Sequence, residues 1–229
     1  FLDISTPCSS GTDRSIRAEL IHSSEPCNHG EGEVVQIGLR RNNILFPKIT
    51  LCAHPFEHTT FWTKHSLSKT VPCDEDFPTE ITEKDKTQFP HLRNVNTDEF
   101  SWGFLIPKCD FDSEYEQEQT FNVLNRALFF KKLHQGNWRK FENFLRDRVN
   151  EDIGNAPVRI ITGVFGLSSG GSLPKYVFKI VVTFVGIQGV YVGANSGEPV
   201  NDTVCDVIPD CGWLDEENGQ IVCCELTTE

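Results

Sequence analysis

The sequence predicts an α+β fold in which a mainly antiparallel sheet is flanked by helices. Three observations predict it. One amphipathic helix stands out at 138–149, where Trp138, Phe141, Leu145 and Val149 recur at spacings of three and four. Three β-rich runs follow it, at 158–164, 175–184 and 188–192. The links between those runs contain Gly170-Gly171 and Gly186, which suit hairpins or bulges.

Earlier elements are weaker. Residues 1–32 are rich in Ser, Gly, His and Cys without periodicity, and read as an irregular arm stapled by Cys8 and Cys27. A short strand is expected at 34–39, a turn at 40–43, and a second strand at 44–52 interrupted by Pro47. The β-branched and aromatic run 58–67 makes a third. Residues 71–98 are polar, acidic and Pro-containing, and read as a long surface loop. Its Asp74-Glu75-Asp76 lacks the spaced oxygens of a calcium loop. Between 113 and 133 composition is ambiguous: 114–118 favours helix, while 120–124 fits a strand. Glu142 falls four after Trp138, so it lies on or beside the buried face, and Arg146 one turn further is placed to pair with it. The tail 205–224 holds four cysteines around Trp213 and is expected to be pinned by disulfides. No repeat or linker divides the chain, which reads as one domain over 1–229.

Composition narrows the function classes. Seventeen Phe and 38% hydrophobic residues supply a sizeable core, and no apolar run is long enough to span a membrane. The chain has no Met and opens on Phe1, as expected of a processed or trimmed chain without an intact signal peptide. Nine cysteines without metal-ligand spacing point to disulfides and a secreted protein. Their odd number leaves a thiol unpaired or shared between chains, which opens a disulfide-linked or non-covalent dimer. Asn201-Asp202-Thr203 is a glycosylation sequon. A net charge of −12 argues against a strong general nucleic-acid binder. Yet 126–148 carries seven basic residues against two acidic ones. Arg126, Lys131, Lys132, Arg139 and Lys140 there are candidates for weak, salt-dependent contacts to nucleic acid, and a solvated helix face accounts for them equally well.

The order of features between 97 and 225 is more specific than any one of them. Gly103, Leu105 and Lys108-Cys109-Asp110-Phe111 come first, then Thr120-Phe121 and Asn125. Gln135-Gly136-Asn137-Trp138, Glu142, Arg146, Thr162-Gly163 and Pro174-Lys175-Tyr176 follow. This series resembles the secreted DNA/RNA non-specific endonucleases, whose active site is a ββα-metal motif, and most of all their arthropod secreted and salivary branch. A fainter likeness covers 37–67.

The resemblance implies a chemistry with three parts. A His in an Arg-Gly-His segment acts as general base on water, and an Asn at the start of the helix holds magnesium largely through water. The ion and nearby Arg residues stabilise the charge of the transition state, while a Glu further along the helix supports the metal's water shell. In this chain the Arg position is Trp102, the His position is Phe104 and the Asn position is His134. Glu142 and Arg146 alone match the family's Glu-x-x-x-Arg. Phe104 cannot accept a proton, and a His is a poor magnesium ligand. The resemblance thus implies the fold and argues against the activity.

The expected function is that of a secreted, catalytically inactive nuclease-like protein. It would act by binding nucleic acid, a small ligand or a protein at the former cleft, which Trp102 and Phe104 make more apolar. No cofactor is expected, and magnesium only if nuclease activity remains. That alternative would use His134 or His91. His134 with Glu142 supplies too few ligands for a structural zinc site. His22, His29, His54, His58 and His65 read as surface residues, and Cys109 as a disulfide half. A structural or immune-facing secreted protein is the third reading.

Overall fold

The computed structural model describes residues 17–41, 44–54, 59–70, 72–74, 79–89, 92–152, 156–167, 173–200, 203–209 and 216–225. Cys8, His58, Glu75, Asp76, His91, Asn201, Cys211 and Trp213, which carried expectations above, lie outside them.

The first four strands form a meander: β1 (Arg17–Cys27), β2 (Gly32–Arg41), β3 (Ile44–Ala53) and β4 (Thr60–Leu67). β1 corrects the expected irregular arm. It is a polar edge strand with weak alternation, and it exists because β2 supplies its hydrogen-bond ladder. A turn at Asn28–Gly30, with positive φ at all three residues, reverses the chain. Cys27 bonds Cys52 and not Cys8, tying that turn to β3. β2 also runs through Arg40 and Arg41, which were read as a turn. Pro47 does not end β3. It sits at a register shift, opposite Gly38, where a Cβ would lie 2.7 Å from the Pro47 Cα.

From β4 the chain leaves the sheet and returns beside it as β7 (Val158–Leu167), after passing through α1 (Glu83–Gln88), β5 (Phe100–Phe104), α2 (Glu114–Gln119), β6 (Arg126–Phe130), a single turn α3 (Lys131–Leu133) and α4 (Arg139–Asp152). β8 (Pro174–Thr183), β9 (Gly186–Ala194) and β10 (Ile221–Cys224) complete an eight-stranded antiparallel sheet in the order β1-β2-β3-β4-β7-β8-β9-β10. The α+β class is therefore observed. The tail is pinned by Cys205–Cys224, and Cys223 is also disulfide-bonded.

The excursion between β4 and β7 corrects two expectations. Residues 79–95 are no plain surface loop. Thr82 caps α1 in a capping box with Asp85, and Ile81, Phe89, Leu92 and Val95 pack with Phe100, Trp102 and Leu128. Residues 120–124, which fitted a strand, form none. Asn122 accepts from Leu124 N and caps a short 3-10 turn, so the strand begins only at Arg126.

Candidate functional site

β5 and β6 form a two-stranded antiparallel ribbon in which Trp102 faces Leu128 and Phe104 faces Arg126. Asn125 clasps its open end: Ile106 N donates to Asn125 Oδ1 at 3.0 Å, and Asn125 Nδ2 donates to Ile106 O at 2.9 Å and Thr120 O at 2.8 Å. Asn195 ties the ribbon to the large sheet, accepting from Phe130 N at 2.8 Å and donating to Leu128 O at 2.9 Å. A π-type turn at His134–Trp138 leads into α4, which lays Phe141, Leu145 and Val149 on Leu67, Ile160, Val177 and Val181 of the sheet. Truncating a fully buried aromatic such as Phe141 in this layer costs about 3–5 kcal/mol. Gly136 is required in the turn because a Cβ there would lie 2.2 Å from the carbonyl oxygen of Asn218. Asn137 donates to Gly219 O at 2.8 Å, so the tail is fastened to the helix entrance.

Glu142 and Arg146 are buried on the sheet-facing side of α4, as their spacing predicted. The pairing of Arg146 with Glu142 that the spacing suggested gives way to two partners far away in sequence, because the sheet and the 108–110 turn bring Lys179 and Asp110 closer to these groups. Lys179 of β8 donates to Glu142 Oε1 at 3.0 Å. Arg146 donates to Asp110 Oδ1 at 2.9 Å and also reaches Asn143. The other Asp110 oxygen lies 2.8 Å from Nε2 of His65, which is buried and not on the surface as expected. The group joins β4, the 108–110 turn, α4 and β8, and the Cys73–Cys109 disulfide holds that turn beside it. Burial raises the Glu142 carboxyl more than Lys179 and Arg146 lower it. Burial also raises Asp110, but His65, Lys179 and Arg146 outweigh it and hold the carboxyl at about 2. Asp110 belongs to the Lys108-Cys109-Asp110-Phe111 motif, whereas no motif contains His65 or Lys179.

At the three positions aligned with the family's catalytic groups, the side chains are packed. Trp102 is 9% exposed beneath the 79–95 segment, with the Arg126 guanidinium 5.1 Å from its ring centre. Phe104 is half-buried and meets Phe121 edge to face at 5.5 Å. His134 stacks on Phe129 at 4.5 Å and closes over Gly103, where a Cβ would come within 2.8 Å of Nε2. Burial, then Arg139 and Lys179, push His134 down to about 4, so its imidazole is neutral at physiological pH.

Magnesium asks for oxygen ligands. The position expected to hold it presents a stacked imidazole, and Glu142 gives one oxygen to Lys179. Among the described residues no three His, Cys, Asp or Glu side chains come together as a metal site. This set does not fit a magnesium ion.

The basic residues of 126–148 have different surroundings. Lys131 is engaged by Glu80 and Thr97 O, Arg146 is buried, and Arg126 lies on Trp102. Lys132 and Lys140 are exposed and Arg139 half-buried at the start of the helix. No helix among the described residues is long and apolar enough to cross a membrane.

A strand ribbon feeding a helix against an antiparallel sheet is a nuclease-like α+β arrangement. The model of the DNA/RNA non-specific endonuclease family matches residues 31–207, and the chain belongs to that family. It is also 33% identical over 67 residues to a salivary endonuclease of Lutzomyia longipalpis. That stretch covers 29% of this chain and 16% of the relative.

Proposed function

We propose that this protein is a secreted, catalytically inactive member of the endonuclease family, of the arthropod salivary kind, that acts by binding at the former active-site cleft. The observation that carries the reading is the Phe104–Phe121 contact: the general-base position holds a ring packed on another ring. The fit test against magnesium at His134 and Glu142 supports it further. Trp102 and Phe104 are the former Arg and base positions, and Glu142 and Arg146 persist as buried structural ion pairs. The chain is taken as one endonuclease-like unit. Three described disulfides and the salivary relative support secretion, and Asn201 is the proposed glycosylation site.

The test is incubation with plasmid DNA and with RNA in magnesium, with and without EDTA, beside a gel shift at low salt. The expected result is no cleavage. Turnover abolished by EDTA would overturn the reading. Nucleic-acid contact through Lys132, Arg139 and Lys140 would show as a shift that weakens steeply with salt. A residual nuclease is the second reading, favoured by the neutral His134 imidazole, which has a proton-accepting nitrogen. H134A would then abolish whatever turnover is found.

A further inference from the structure

One face of the ribbon carries an aromatic pair and a cation. Phe104 and Phe121 meet at 88°, and Phe121 is 50% exposed. Arg126 stands directly opposite Phe104 in the ribbon register, so both side chains emerge on the same face. Its guanidinium lies over the Trp102 ring, and its buried Nε has no hydrogen-bond partner.

The surroundings limit what this cation meets. Asp85 lies near enough to feel it: burial pushes that carboxyl up, while the Thr82 hydrogen bonds and the Arg126 charge bring it down overall. The Asp85 carboxylate is already occupied by Thr82, through N at 2.8 Å and Oγ1 at 2.7 Å. Glu114 and Glu118 are exposed on α2, which leads into Phe121. A polyphosphate strand would be repelled over its length by a chain of net charge −12, whereas a single anion needs only the guanidinium.

We propose that this face binds a small planar aromatic ring bearing one anionic group, with the ring against Phe121 and Phe104 and the anion on the Arg126 guanidinium. Ring stacking and a charge-assisted hydrogen bond supply the affinity. The proposal rests on the binding reading above and names its ligand class.

Adenosine 5′-monophosphate is the probe, because ring and anion can be removed from it separately. Calorimetry on the full chain compares it with adenosine, with inorganic phosphate and with a short single-stranded oligonucleotide. The monophosphate is expected to bind about tenfold tighter than adenosine or phosphate, and no weaker than the oligonucleotide. R126Q should bring the monophosphate down to the level of adenosine, and R126K should restore part of the difference. F121A, at a half-exposed position, should weaken monophosphate and adenosine alike while circular dichroism still reports the folded chain. Equal affinity for monophosphate and adenosine, or an R126Q chain that binds the monophosphate as well as the wild type, would overturn the proposal. Tighter binding of the oligonucleotide would overturn its single-anion part. Cleavage of the oligonucleotide would instead overturn the binding reading, while the monophosphate, having no phosphodiester, still reports on Arg126.

Discussion

Lys179 reaches from β8 to Glu142 on α4, Nζ to Oε1 at 3.0 Å, with both side chains excluded from solvent and the ammonium 5.5 Å from the Trp138 ring centre. A buried ion pair is often no better than a well-packed apolar pair, but removing one partner strands the other charge. K179M should therefore cost about 3–5 kcal/mol in urea unfolding. K179M combined with E142L should cost less than K179M alone. A double variant that loses as much as the sum of the singles would show that the two side chains do not act on each other.

Acid should destabilise the fold in two steps. His134 is depressed from 6.5 to about 4, so the unfolded chain binds more protons between those values and stability falls as pH drops through them. Asp110 is depressed from 3.8 to about 2, and its contribution is lost across that lower window. Glu142 is raised, so it works in the opposite sense and is relieved by acid. The urea midpoint followed from pH 7 to 2 checks this. H134Q should flatten the upper step and keep the lower one. An unchanged upper step in H134Q would assign it to another group.

Gly136→Ala should lower the melting temperature. The added Cβ would meet the Asn218 carbonyl at 2.2 Å, and backbone on both sides has little room to yield. A cost of about 1–3 kcal/mol is expected. Hydrogen exchange should quicken at 216–225, because the tail is what the methyl displaces. Slower exchange there would contradict the contact.

Peptide mapping under non-reducing conditions should recover Cys27 with Cys52, Cys73 with Cys109 and Cys205 with Cys224. Replacing Cys73 and Cys109 by Ala should cost about 2–5 kcal/mol, since the bond closes a loop of sequence separation 36 and holds the turn that carries Asp110. Recovery of Cys27 joined to Cys8 would contradict the observed pairing.

Read by itself, the sequence determined the inward face of α4, the three strands that follow it and the family. Helical and strand periodicities are local, and motif order is carried by the covalent chain. It also determined that Glu142 is buried, because a position one turn from Trp138 on a helix has nowhere else to go. Only the tertiary structure decided what Glu142 meets. Lys179 lies 37 residues away, and His65 lies 45 residues from Asp110. Such neighbours depend on sheet order and register, which no local pattern encodes. The same holds for β1, whose polar sequence becomes a strand only against β2, and for Cys27, whose partner was set by the β2–β3 hairpin. It holds as well for Arg126, in sequence one of several basic candidates, which antiparallel pairing places opposite Phe104 and onto the ring of Trp102.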